Sequence, residues 1–486
     1  MASITGTIDE HIHSKTFTAT APGKVILFGE HAVVYGVPAV ACCLSGLRVQ
    51  VDVCIQGIAS AYEEGPVFSV SLENVGSNKT ILVSFPTTNF MDASRLTQRP
   101  ASWSTLEGSR PVGNNLDSEL LQNIEAMIAT KCSTNADLKG NKGAISALTN
   151  LIYLAVNTLH IFQPPFDKEK SISIKVKSLG LPIGAGLGSS AAFSVATAAA
   201  MLSTRFSNIG GGDANQSFGE LDVRISDDHK ADGEGAEQTL EISESNSNSI
   251  VGDTYIPHKM VLELINAWAH VGEKIMHGNP SGLDNTISTF GGTLSFRKDL
   301  KNSGAPVFAP IPNCPALRTL ITNTKVPRET KVLVGNVRKL REEKRGHVDA
   351  IWNGVEEIVK TFEKIVDAKE SSDKQDMTKI ISTLFERNHN LLRDVGVSHP
   401  SLEIVCNSSR KYGFKSKLTG AGGGGCAVTF LGLEEVSTSG NDESDVKNKI
   451  KELMEELRKE HGFDCFECDI GGPGVRLARV IIKRSR

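Results

Sequence analysis

No stretch of this chain is apolar over the roughly 20 residues that a membrane-crossing helix needs, so no membrane partner is expected. Met1–Lys15 is polar and lacks the apolar centre of a secretory signal. There is no large basic block, and the net charge is −4, which argues against nucleic acid as a partner. Cysteine is sparse and odd in number, nine scattered residues mostly in apolar surroundings such as Cys42, Cys43 and Cys406. That usage excludes a disulfide framework and fits reduced thiols in the cytosol. Cys465 and Cys468 form a Cys-x-x-Cys pair, but two further ligands at metal-site spacing are missing, so they read as reduced strand residues. No Gly-Lys-Ser/Thr follows any glycine run, which excludes a Walker A loop, and the glycines of Leu181–Thr204 do not fit the Gly-x-Gly-x-x-Gly spacing of a dinucleotide loop either. The C-terminus carries no Ser-Lys-Leu address. Lys24-Val25 followed by His31-Ala32 fits a nine-residue peroxisomal import pattern. The cytosol is the expected location and the peroxisome the alternative.

What the chain does have is length and one unusual stretch. Its 486 residues and 52.1 kDa suffice for two or three domains with an ample core. Leu181–Thr204 opens with Gly184, Gly186 and Gly188 at alternate positions, then Ser189 and Ser190, then an Ala-rich run to Met201. Glycine permits positive φ and close approach of a ligand to the main chain. The run has high helix propensity, and serine is a good N-cap. The stretch therefore reads as a glycine-rich loop feeding a helix N-terminus, where backbone N–H groups and the helix dipole suit a phosphate-sized anion. A purely structural turn before a helix is the competing reading.

Along the chain, Pro22–Gly36 reads as strand–turn–strand, with Lys24, Glu30 and His31 as polar groups in an apolar setting, either surface-facing or functional. Leu47–Cys54, Val67–Glu73, Thr80–Phe85 and Ser171–Lys177 alternate as strands do. Leu116–Thr130 and Gly143–Phe162 have helical periodicity. A stretch from about 207 to 250 is rich in Ser, Asp, Glu, Asn and Gly, and reads as a mobile acidic insertion without a catalytic role. Lys259–His277 is helical. Glu273 lies in its last turns, where a negative charge opposes the dipole and calls for a compensating cation. Asp284 follows in a tight loop, where an N-cap is the plain alternative to a catalytic role. The second part holds four helical segments between 332 and 412. A strand then enters Gly420-Ala421-Gly422-Gly423-Gly424-Gly425, and an amphipathic helix at Ser444–Glu460 and further strands follow. The expected organisation is a disordered N-terminus (1–15), a nucleotide-binding domain (16–320, with the insertion) and a C-terminal domain (321–486) bearing the second glycine-rich loop.

Taken together, Pro22–Gly36, Leu181–Ala192 and Lys417–Cys426 resemble the three signature motifs of the kinase superfamily that includes galactokinase, homoserine kinase, mevalonate kinase and phosphomevalonate kinase. They occur in the expected order, and the resemblance spans almost the whole chain. It is closest to the mevalonate kinase family, through Ala21–Val34, Gly278–Thr289 and Asn323–Arg328; a galactokinase would show Glu-His-Thr-Asp where Ala32 follows Glu30-His31 here.

The resemblance implies an α+β, two-domain small-molecule kinase fold with the active site in the cleft between the domains. It implies ATP-dependent, Mg²⁺-dependent phosphorylation of the primary hydroxyl of (R)-mevalonate, a step toward isoprenoids and sterols, by a homodimer. Asp284 matches the family's catalytic base, which removes the proton or orients the alcohol, and Lys24 matches the lysine beside it, also an ATP contact. Ser190 and Glu273 match the magnesium ligands. Gly184, Ala185, Gly186, Leu187, Gly188, Ser189 and Ser190 match the phosphate-binding loop, while Asn74 and Ser178 fall where nucleotide contacts lie. Glu30, His31, Thr330 and Ala421 match substrate-side positions. The assignment is chemically coherent. Phosphoryl transfer needs positioning and charge stabilisation more than covalent help, and Mg²⁺ takes oxygen ligands and few protein groups. A sibling kinase for another small alcohol and a non-catalytic ligand sensor on the same fold are the alternatives. Joint retention of Asp284, Lys24, Ser190 and Glu273 weighs against the sensor.

Overall fold

The computed structural model describes residues 13–57, 65–74, 79–91, 111, 116–159, 170–206, 254–255, 259–300, 306–367, 374–433, 441–478 and 481–484. The chain opens with β1 (His13–Phe28), a 3-10 turn (Ala32–Tyr35) and β2 (Ala39–Gly57). There follow β3 (Val67–Glu73), β4 (Ile81–Pro86), α1 (Thr88–Met91), α2 (Ser118–Thr134), α3 (Lys142–Thr158) and β5 (Lys170–Leu179). Next come α4 (Ser189–Phe206), β6 (Thr254–Tyr255), α5 (Lys259–His277), α6 (Leu283–Phe290), β7 (Thr293–Lys298) and β8 (Pro306–Pro310). The remainder comprises β9 (Leu317–Asn323), α7 (Thr330–Glu343), α8 (Arg345–Asp367), α9 (Lys374–Asp394), α10 (Pro400–Lys411), β10 (Lys415–Leu418) and β11 (Cys426–Leu433). It ends with α11 (Asn441–Lys459), β12 (Asp464–Ile470), β13 (Arg476–Ala478) and β14 (Ile481–Arg484).

Strand β2 organises the first half. It pairs antiparallel with β1 along most of its length, with β5 over its far half and with β7 near its start. Strands β3 and β5 are parallel neighbours, and β4 closes that edge. The second half builds a smaller antiparallel sheet in the order β10-β11-β9-β12. A single pairing, Ile470 with Leu44, joins β12 to β2 and links the two sheets. After β12 the chain returns to the first sheet, where β13 and β14 pair with β1. The division expected at 320–321 thus falls inside β9, and the last strands lie with the first sheet. Of the N-terminus expected to be disordered, His13–Lys15 are already paired in β1, and residues 1–12 lie outside the described residues, as does the acidic stretch at 207–250.

The strand–turn–strand reading of Pro22–Gly36 needs correction. Pro22-Gly23 sits inside β1, where the register with β2 shifts between Pro22 and Lys24. A bulge tolerates proline because its missing N–H leaves no ladder bond unmade. After Phe28 the chain turns through Gly29 into the 3-10 turn instead of a second strand.

Helix α4 lies on β1 and β2, flanked by α3, α5 and α6. Ala191 through Leu202 is buried throughout. A helix enclosed on all sides must be apolar all round, and its alanines let sheet and helices approach closely. The two halves also share an aromatic contact. Phe28 meets Phe362 of α8 and Phe385 of α9 edge-on at 5.4 and 5.6 Å, and Phe385 packs on Phe430 of β11 at 5.5 Å. Such pairs contribute about 0.5–1.5 kcal/mol each beyond their buried area. They fix the C-terminal half against the strand that carries the first motif. Cys465 and Cys468 are buried free thiols of β12. No helix among the described residues is long and apolar enough to cross a membrane.

Candidate active site

The bulge in β1 delivers Lys24 to the N-terminus of α4. Its backbone N–H donates to Leu187 O at 2.7 Å, tying the strand to the first glycine-rich loop. Gly188, at φ +69°, lets the two come together: a Cβ there would stand 2.7 Å from Lys24 Cγ. The cap differs from the serine expected. Gly188 precedes the first helical residue, and its carbonyl accepts the N–H of Ala192 at 3.0 Å. Both serines lie inside the helix, so their hydroxyls serve elsewhere. Ser189 Oγ accepts from the Gly184 N–H at 3.4 Å, and Ser190 Oγ donates to Glu273 Oε2 at 3.2 Å.

Helix α6 supplies Asp284. Gly282 occupies the N-cap position and Asp284 the first turn, which disposes of the capping alternative. Ser288, one turn on, donates to Pro22 O at 2.7 Å and locks α6 to the bulge. The Asp284 Oδ2 atom is then 3.3 Å from Lys24 Nζ, with side-chain exposures of 35% and 10%. This pair is reachable from solvent on the carboxylate side.

Helix α5 brings Glu273 up from below, 3% exposed. Burial pushes its carboxyl up to about 7, and the nearby Asp284 charge adds to the rise; Ser190, Ser194 and Lys24 oppose it. The compensating cation expected from the dipole argument is no contact partner. Glu273 is met by the hydroxyls of Ser190 and Ser194, both at 3.2 Å, and the His277 imidazole lies 4.0 Å away. His277 Nε2 also lies 3.0 Å from Ser190 Oγ. A serine hydroxyl and carboxylates form an all-oxygen donor set, the kind a hard divalent cation takes.

The structure therefore brings Lys24, Ser190, Glu273 and Asp284 to one place. It disposes the other expected residues differently. Ser178, at the end of β5, donates to Leu181 O at 2.7 Å and braces the entry to the loop. Asn74 is exposed beyond β3 with φ +57°, a conformation that asparagine tolerates. Thr330 is the exposed first residue of α7. His31, at φ +59°, places Nε2 2.9 Å from Ala421 O and so joins the first motif to the second glycine-rich loop. Burial lowers the His31 pKa. Glu30 does not face the site directly as expected: it is 0% exposed, and its carboxylate is engaged by the Lys417 ammonium and by Asn388 Nδ2 at 3.1 Å. These contacts tie the turn that carries His31 to β10 and α9. The four residues of the import-like pattern, Lys24, Val25, His31 and Ala32, are all buried.

One site residue escaped the sequence reading as a functional group. Arg328 was part of a matching run, but its guanidinium lies directly over the first loop. A Cβ on Gly186 would coincide with it, 1.4 Å from Nη2. Gly420 and Gly425 of the second loop lie against the same side chain. Burial lowers its pKa, against the attraction of Cys426 and Asp284. The available signal was a lone arginine after Pro327 at the exit of a buried strand. Lys417 was likewise quoted within a motif without a role.

The GHMP kinases N terminal domain family matches residues 150–211, and the GHMP kinases C terminal family matches residues 368–462. Mevalonate kinase of Mus musculus is 32% identical over 95% of this chain and 95% of its own length. Mevalonate kinase of Homo sapiens is 32% identical over 97% and 98%, and that of Arabidopsis thaliana 31% identical over 94% and 98%. Among solved structures, L. major mevalonate kinase in complex with R-mevalonate superposes with a TM-score of 0.53 at 19% identity, covering 93% of this chain and 95% of that one. Methanococcus jannaschii mevalonate kinase gives a TM-score of 0.53 at 19% identity, covering 94% and 98%. These two show a shared fold, whereas the full-length relatives near a third identity show kinship: the chain belongs to the mevalonate kinases, within the GHMP kinases.

Proposed function

We propose that this chain transfers the terminal phosphoryl group of ATP to the primary hydroxyl of (R)-mevalonate, with Mg²⁺. The observation that carries the reading is the Lys24–Asp284 pair, 3.3 Å apart, beside Ser190 and Glu273 at the N-terminus of α4. Relatives bearing the name mevalonate kinase along their full length, and a solved relative holding R-mevalonate, supply the substrate.

The residues divide the work. The first glycine-rich loop and the start of α4 offer backbone N–H groups and a positive dipole end to the phosphates. Ser190 and Glu273 would hold the divalent cation, whose contribution is to neutralise charge on the phosphate oxygens. Asp284 is placed to accept the alcohol's proton as the bond to phosphorus forms, since a free alkoxide is inaccessible near neutral pH. Lys24 balances the Asp284 charge and the charge developing on the transferring group. Arg328, suspended over Gly186 between the two loops, adds a second cation on the phosphate side. His31 and Ala421 join the walls that enclose the acceptor.

The test is turnover by purified protein with ATP against mevalonate, phosphomevalonate, galactose and homoserine. Turnover of mevalonate alone is expected. Turnover of another alcohol instead would make it a sibling kinase, and ATP binding without turnover of any would make it a sensor.

A further inference from the structure

Behind Glu273 lies a chain of buried polar groups that the phosphoryl-transfer reading leaves unused. Asn150 of α3 donates from Nδ2 to Ser194 Oγ of α4 at 2.8 Å, and Ser194 donates to Glu273 Oε1 of α5 at 3.2 Å. Asn150 and Ser194 are 0% exposed and Glu273 is 3% exposed. The order of donors sets the direction. An amide N–H occupies a lone pair of the serine oxygen, so the single hydroxyl proton is left for the carboxylate. Ser190 and Ser194 are four residues apart, on one face of α4, so they grip the two oxygens of Glu273 from the same side.

The packing around this chain is specific. Asn150 Oδ1 is buried without a hydrogen-bond partner among the described residues, a cost of about 1–3 kcal/mol that an apolar side chain would avoid. Gly272, the residue before Glu273, makes room for the arrangement. A Cβ there would stand 2.6 Å from Asn150 Oδ1, 2.9 Å from Nδ2 and 3.0 Å from Ser194 Oγ. The helix-favouring alanine therefore does not fit unless the pair moves. Three helices converge on one carboxylate, with a group left unsatisfied and a glycine in the middle of a helix.

We propose that Asn150 and Ser194 are positioning residues for the divalent cation: they hold the Glu273 carboxylate so that its other oxygen, beside Ser190, is the one offered to the ion. The proposal rests on the reading of Glu273 and Ser190 as cation ligands. Groups behind a ligand commonly govern metal affinity by 10–100-fold.

The experiment measures Mn²⁺ binding to the intact protein by water-proton relaxation, in the presence of a non-hydrolysable ATP analogue. The apparent KM for free Mg²⁺ is measured alongside the KM for mevalonate. Ser194→Ala is expected to weaken Mn²⁺ about tenfold and raise the Mg²⁺ requirement in parallel, with the mevalonate KM unchanged. Gly272→Ala should act in the same direction despite its higher helix propensity. Asn150→Leu should have a smaller effect, because the serine hydroxyl remains. Ser203→Ala, which removes an α4 hydroxyl bonded to Ala199 O, controls for loss of a buried serine and should bind Mn²⁺ normally. If Ser194→Ala does not fold, Gly272→Ala and Asn150→Leu carry the test. Wild-type Mn²⁺ affinity in the folded variants would overturn the proposal. Glu273→Gln separates the two levels: its failure to weaken Mn²⁺ binding would remove the ligand assignment itself.

Discussion

Two lysine–carboxylate pairs are built in part from the first motif. Lys24 and Asp284 are 3.3 Å apart, and the carboxylate side chain keeps 35% of its surface. Lys417 and Glu30 also form an ion pair, but neither side chain has any exposed surface. The buried pair is enclosed by further bonds: Lys417 Nζ donates to Leu418 O at 2.6 Å and to Ile26 O at 3.5 Å, and Asn388 donates to Glu30. Burial pushes the Glu30 carboxyl up and the Lys417 ammonium down, each opposed by its partner. The same two residue types thus do different work. An open pair can be reached by a small molecule; a sealed pair fixes backbone. Here the sealed pair joins the turn before His31 to the strand entering the second glycine-rich loop, and His31 then reaches Ala421.

The contrast breaks first at the open pair. Asp284→Ala should lower turnover by about a thousandfold or more while thermal stability and ATP binding stay near wild type. Steady-state kinetics beside a melting curve measures this, and near-normal turnover would remove Asp284 from the mechanism. At the sealed pair the prediction inverts. Lys417→Met leaves an unpaired buried carboxylate and should cost about 3–5 kcal/mol of stability, read from urea unfolding. Adding Glu30→Gln to it should recover part of that loss. An unchanged urea midpoint in Lys417→Met would show that the pair has no structural role.

The smallest effect concerns Glu273. Its folded carboxyl is pushed up to about 7 from an ordinary 4.5, so between those values the folded chain holds a proton that the unfolded chain has lost. Stability must then fall as pH rises through that window. In cation-free buffer, wild type should lose up to about 3 kcal/mol relative to Glu273→Gln between pH 5 and pH 8. Parallel pH profiles for the two proteins would contradict the raised value.

Much of the fold was legible in order and type. Lys259–His277 was bounded to the residue, because an amphipathic helix announces itself by period. The helices of the second half were found for the same reason, although α8 starts at Arg345. The errors have physical causes. Pro22–Gly36 looked like strand–turn–strand because its glycines punctuate apolar residues, but the chain after Gly29 forms a 3-10 turn and not a second strand. Glu30 stood out only as a polar residue in an apolar stretch, because its partner lies 387 residues away in β10. Arg328 stayed hidden because its neighbours Gly186, Gly420 and Gly425 come from two glycine-rich loops, both far from it in the chain.

The sequence alone determined the chemistry available: two glycine-rich loops, a serine at a helix start, and the acids and lysine of a phosphoryl-transfer site. Local period and turn chemistry are properties of neighbouring residues, so they can be read from order alone. Which lysine meets which carboxylate, and which pair stays in contact with water, was decided only when β1, α4, α5 and α6 packed together. Charge–charge energies and desolvation depend on distances through space, and those distances exist only in the folded chain.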